Sequence, residues 1–145
     1  MKKIINYGSH NISANDIRLV SKALRGSAIT QGPYVQNFER DLSKKFRSNF
    51  CTVVSNGSSA LYLVGKILKW KKGDTIITTP ISFLATSNCI ELCNAKTKFI
   101  DIDKKTYTID PNRVESYLKK TNKKIKALIG VDYAGHPCDW KSLRY

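Results

Sequence analysis

Thr75-Ile76-Ile77-Thr78-Thr79-Pro80-Ile81-Ser82-Phe83-Leu84-Ala85-Thr86 is the stretch on which the fold turns. Its first four residues are β-branched and suit a strand, Thr79-Pro80-Ile81-Ser82 breaks that run, and a helix is predicted from about Phe83 to Cys93. Strand, loop and helix thus follow one another within a short span.

Working outward, the same unit recurs. Upstream, Cys51-Thr52-Val53-Val54 reads as a short strand, Ser55-Asn56-Gly57 as a break, and Ser58 to Trp70 as a helix. Downstream, Lys98-Phe99-Ile100-Asp101 reads as a strand. Asp110 can cap and Pro111 can start a helix through Val114, Tyr117 and Leu118, and Ala127-Leu128-Ile129-Gly130-Val131 is an apolar strand. Strands alternating with helices, the last apolar on both faces, predict an α/β fold with a mostly parallel sheet covered by helices on both sides. Ligands of such sheets bind beyond the carboxyl ends of the strands, so the loops after Val54, Thr78 and Val131 matter most.

Two helices precede this region. Ser13 and Asp16 form a capping box, and Ile17, Val20 and Leu24 recur at helical spacing until Gly26. Pro33 suits the first turn of a second helix, with Val35, Phe38, Leu42 and Phe46 on one face and Glu39, Arg40, Lys44 and Lys45 on the other. Residues 1–50 are therefore expected to be a helical segment and 51–145 the α/β part. At the other end, Asp139 caps a helix begun by Trp140 that has run less than two turns at Tyr145. A domain rarely stops there, so the expectation is of a truncated α/β domain.

Composition is that of a globular chain, with 41% hydrophobic and 25% charged residues. The apolar run at the start is too short for a signal peptide, and no run approaches the roughly 20 apolar residues of a membrane span. No membrane association and a cytoplasmic location are expected. The net charge of +14 could mean a polyanion partner. Its lysines, however, are scattered in pairs at predicted helix ends and turns, without the interleaved aromatics of a base-stacking surface, which points to a solvated surface and no nucleic acid. A non-catalytic basic binding module is the competing reading, and a steep salt dependence of binding to generic nucleic acid would mark it. The four cysteines form no Cys-x-x-Cys pair, and His10 and His136 are distant from them, so reduced buried thiols are expected and no metal site.

Ser55-Asn56-Gly57-Ser58-Ser59 places backbone N–H groups and hydroxyls at a helix N-terminus, which suits a phosphate monoester as well as it suits an ordinary cap. It has neither dinucleotide-binding glycines nor a P-loop lysine. Phe83 could stack on a flat cofactor or simply join the core. Asp132-Tyr133-Ala134-Gly135-His136-Pro137 brings a carboxylate, a phenol and an imidazole to one sheet edge, but without a nucleophile elbow.

The order and spacing of these pieces resembles one family. Ile29-Thr30-Gln31-Gly32-Pro33 with Phe38-Glu39, then Ser55 to Leu61, then Thr79 to Thr86, then Val131-Asp132-Tyr133-Ala134-Gly135 resembles the DegT/DnrJ/EryC1/StrS sugar aminotransferases. Within it, the Thr79 to Phe83 stretch and the Asp132 loop look most like enzymes that aminate C4 of a UDP-linked 4-keto-6-deoxy-N-acetylhexosamine on the route to pseudaminic acid. The resemblance implies the N-terminal portion of the type I fold of pyridoxal-phosphate (PLP) enzymes, a homodimer, L-glutamate as amino donor and a nucleotide-linked keto sugar as acceptor. It implies that Ser58 and Ser59 hold the PLP phosphate and Phe83 stacks on the ring. Tyr7, Ser27, Ala28, Ile29, Thr30 and Gly57 would line the nucleotide-sugar pocket. No lysine here stands in a motif matching the one that reacts with the cofactor, and no catalytic residue is assigned. A dehydratase of the same family, with histidine in place of that lysine, fits these motifs equally.

Overall fold

The computed structural model describes residues 8–144, and Tyr7 of the expected sugar pocket lies outside them. The chain divides into two compact units, one ending at Val53 and one beginning at Val54.

The first unit holds α1 (Ala14–Leu24) and α2 (Pro33–Phe46). The predicted box at the start of α1 is present: the Ser13 hydroxyl accepts from Asp16 N, and the Asp16 carboxylate accepts from Ser13 N at 2.8 Å. Pro33 opens α2, whose C-cap is the left-handed Arg47. Neither helix buries a residue. Ile17, Val20, Leu24, Phe38 and Phe46 of their apolar stripes are each more than half exposed. The expected strand at 51–54 is not a strand. Its Val53 N–H is taken by the Glu39 carboxylate of α2 at 2.9 Å, so the main chain finds a side-chain acceptor where a ladder would have needed a neighbouring strand.

The second unit is a three-stranded parallel sheet in the order β2-β1-β3, with β1 Thr75–Thr78, β2 Lys96–Phe99 and β3 Ile125–Leu128. Helix α3 (Gly57–Ile67) precedes β1, α4 (Ala85–Leu92) and α5 (Pro111–Lys120) connect the strands, and α6 (Trp140–Leu143) follows β3. Only the central β1 is buried along its whole length. Ile76 and Ile77, 0% and 1% exposed, point to opposite faces and anchor two clusters. One joins Ile76 to Trp70, Cys89, Ile90 and Cys93; the other joins Ile77 to Ile100, Ile109, Val114 and Cys138. Each such isoleucine contributes about 1.5–3 kcal/mol by leaving water.

Two expected strands are displaced. β2 starts at Lys96, because the edge position lets Lys96 and Lys98 keep contact with water while their backbones pair with β1. β3 starts at Ile125 and is only half-buried, since it too is an edge, and its register against β1 shifts between Thr75 and Ile76. Ile100 and Ile129 extend the ladders by donating to Thr78 O and Ile77 O, both at 2.8 Å.

Candidate functional site at the carboxyl edge of the sheet

The loop before α3 and the loop after β1 both open at the carboxyl edge, because α3 runs back toward the start of β1 and α4 leaves from its end. Asn56 is the N-cap of α3, in extended conformation, and its side-chain oxygen accepts from Ser59 N at 2.9 Å. The Ser59 hydroxyl shares a hydrogen bond of 3.2 Å with Ser55. A helix start leaves its first amides without intrahelical partners. With Ser59 N taken by the cap, the open ones are Gly57 N and Ser58 N. A Cβ added at Gly57 would meet nothing within 4 Å, so there is open space beside the first residue of the helix. The aligned peptides add about half a positive charge there, which favours an anion.

Phe83 sits in the turn entering α4 and is 79% exposed, with Thr86 N donating to its carbonyl at 3.0 Å. The expected helix start at Phe83 is thus two residues early. Beneath that turn, Ser82 and Thr86 hydroxyls bond at 2.6 Å, and Thr86 is buried. This fastens the loop while leaving the ring outside the core.

Ser58 and Phe83 line one cavity of about 230 Å³, completed by Leu84, Ala85, Asn88, Cys89 and Leu92. The last four recur at helical spacing along α4, which is the signal in the sequence that would have added them. Burial pushes the Cys89 thiol up, so it is a neutral wall of the cavity and not a nucleophile. The donor set suits a phosphate carrying an aromatic ring: two open amides and a serine hydroxyl for the anion, and an exposed aromatic face for the ring. Ser59, in contrast, has its amide and hydroxyl engaged within the protein.

The Ser27, Ala28, Ile29 and Thr30 segment belongs to the first unit. Ala28 and Ile29 line an apolar cavity of about 210 Å³ there with Val20, Leu24, Tyr34 and Val35. Gly32 is closely packed in that turn, since a Cβ on it would lie 3.0 Å from Ala28 O.

The third loop does not assemble a nucleophilic site. The Asp132 carboxylate accepts from Cys138 N at 2.9 Å, and this bond holds its carboxyl below the usual range. Tyr133 stacks on Tyr107, ring centroids 6.2 Å apart. Cys138 is buried, and desolvation raises its thiol. Among the described residues, no group of three or more His, Cys, Asp or Glu side chains could hold a metal ion, and no helix is long and apolar enough to cross a membrane.

The chain is similar to known proteins along nearly all of its length. The sequence pattern of the DegT/DnrJ/EryC1/StrS aminotransferase family matches residues 10–145. The chain is 34% identical over 133 residues to a UDP-4-amino-4,6-dideoxy-N-acetyl-beta-L-altrosamine transaminase of Campylobacter jejuni, covering 92% of this chain and 35% of that protein. It is 29% identical to a GDP-4-keto-6-deoxy-D-mannose 3-dehydratase of Yersinia pseudotuberculosis, covering 99% of this chain and 38% of that protein. Among solved structures it resembles Spr1654 of Streptococcus pneumoniae in its PLP form, with TM-score 0.87, 27% identity and coverage of 97% of this chain and 35% of that one. The chain thus spans about a third of the length of the relatives it matches. Matched along nearly all of its length by sequence pattern and by fold, the chain belongs to the DegT/DnrJ/EryC1/StrS aminotransferase family.

Proposed function

We propose that these residues form the phosphate- and ring-holding part of the active site of a PLP-dependent sugar aminotransferase. The reaction we assign to that site is transfer of an amino group from L-glutamate to C4 of a UDP-4-keto-6-deoxy-N-acetylhexosamine, in a cytoplasmic homodimer. The observation that carries the cofactor reading is the cavity shared by Ser58 and Phe83. PLP, when bound, supplies the electron sink that amino-group transfer requires. The Ser58 hydroxyl and the amides of Gly57 and Ser58 hold the phosphate, and Phe83 holds the ring. Ser59 acts at one remove, through its cap to Asn56 and its bond to Ser55. In this reading residues 1–50 supply the sugar contacts, Tyr7 and the Ser27–Thr30 segment. Residues 51–145 are the first part of the large PLP-binding domain.

The C4 aminotransferase substrate is supported by the 34% identity to the Campylobacter enzyme. The 29% identity to the Yersinia dehydratase supports a second reading, a PLP-dependent sugar dehydratase. The two differ in the residue that handles the proton at the reacting carbon, a role we assign to none of these 145 residues.

Equilibrium dialysis tests the cofactor reading without requiring turnover. Pyridoxamine 5′-phosphate should bind and pyridoxamine should not. Ser58→Ala should weaken binding by about tenfold, the loss of one charge-assisted hydrogen bond of roughly 1.5 kcal/mol. Equal binding of the two compounds would overturn the reading.

A further inference from the structure

At the opposite, amino edge of the sheet a second cavity of about 450 Å³ lies where all three strands begin. Lys72 precedes β1, Lys96 is the first residue of β2, and Lys123 and Lys124 precede β3; all four line it. Two carboxylates also line it, and both already accept hydrogen bonds from the protein. Glu91 takes Thr97 N at 3.2 Å and the Thr97 hydroxyl at 2.7 Å, while Asp74 takes Lys71 N at 3.0 Å.

The lysines have no such partners. The three ion pairs among the described residues use Arg40, Arg113 and Lys119. The C-terminus of α4 does not require them either. Its Ile90 carbonyl accepts from Cys93 N and Ala95 N at 3.1 and 3.2 Å, and its Glu91 carbonyl from Asn94 N at 2.8 Å. Four ammonium groups around one concavity repel one another and outnumber its two carboxylates by two, and a concave wall of low dielectric focuses the net positive field on its interior. An anion with several charges removes that repulsion and has donors on all three strand starts.

We propose that this amino-edge cavity is an anion site that takes a short oligophosphate, separate from the carboxyl-edge cavity and independent of the PLP reading. Lysine binds phosphate oxygens as a point charge, without the bidentate geometry that arginine imposes, so the site reads charge density more than shape.

Titration of the chain with tripolyphosphate, followed by amide NMR, tests this. Saturable shifts are expected at Lys72–Thr75, Asn94–Lys96 and Lys123–Lys124. The double variant Lys123→Gln/Lys124→Gln should weaken binding about tenfold, whereas Lys104→Gln/Lys105→Gln, a lysine pair beyond the carboxyl end of β2, should change it less than about twofold. ATP binding with similar affinity would show that the phosphate chain alone is read, whether free or on a nucleotide. Binding of ATP without tripolyphosphate would overturn the proposal. So would shifts spread over every basic pair, equal losses in the two double variants, or no saturation by about 10 mM, the weak end expected of a purely electrostatic site.

Discussion

Gly65 is the position where one atom decides the packing of the second unit. A Cβ there would lie 2.7 Å from the Trp70 ring and 2.8 Å from Cys93 Sγ, and both neighbours are buried and unable to retreat. Gly65→Ala should therefore destabilise by about 1–3 kcal/mol despite its better helix propensity. Urea unfolding followed by tryptophan fluorescence measures this, and an unchanged or raised midpoint would contradict the packing. Asp132 tests the third loop in the same way. Its carboxyl is lowered chiefly by the Cys138 N–H, so its contribution to stability is complete above the ordinary aspartate range and is lost as pH falls through the lowered value. Asp103 adds in the same direction, lowered chiefly by the Lys105 and Thr106 amides. Stability should be flat from pH 7 to about 5 and fall below about 4. Asp132→Asn should cost stability at pH 6 and progressively less as pH falls through the lowered value, and a cost independent of pH would show that the charge is not what Cys138 N–H reads.

At the scale of elements, much was legible and the losses have a common cause. Caps and prolines act within a few residues, so the Ser13 box, Pro33, Asp110 and Asp139 mark helix starts in the sequence and in the structure alike. Strands take their identity from neighbours far along the chain. Cys51–Val54 has the composition of a strand, but Glu39 claims Val53 N. Lys96 and Thr97 lie outside the run that reads as a strand, but pairing with β1 makes them part of one. The cavity at the carboxyl edge was half legible. Ser58 and Phe83 stand out by type and position, whereas Ala85, Asn88 and Leu92 join only through the helical register of α4. Which serine amide remains open depends on the rotamer of Asn56, and no spacing rule carries that. The sheet order makes its own prediction. Amide hydrogen exchange should be slowest for Ile76 and Ile77 in the buried central strand and faster in β2 and β3, whose outer edges are unpaired among the described residues. Uniform protection across the three strands would contradict that order.

For the whole molecule, the two edges of one sheet carry two different chemistries. The carboxyl edge gathers open amides, a hydroxyl and an exposed phenyl ring; the amino edge gathers lysines. The first lies within the residues that the family pattern matches, and the net charge of +14 gives the second its setting. The central claim is that Ser58 and Phe83 hold one phosphate-bearing ring between them. Amide NMR mapping of pyridoxamine 5′-phosphate on the chain tests it most directly. Gly57, Ser58 and Phe83 should move together and saturate at one concentration, Ser59 should move least of the α3 first turn because Asn56 already holds its amide, and Phe83→Ala should weaken binding about two- to tenfold. Saturable shifts that leave Gly57 and Ser58 in place, or that survive replacement of the phosphate by a hydroxyl, would contradict it.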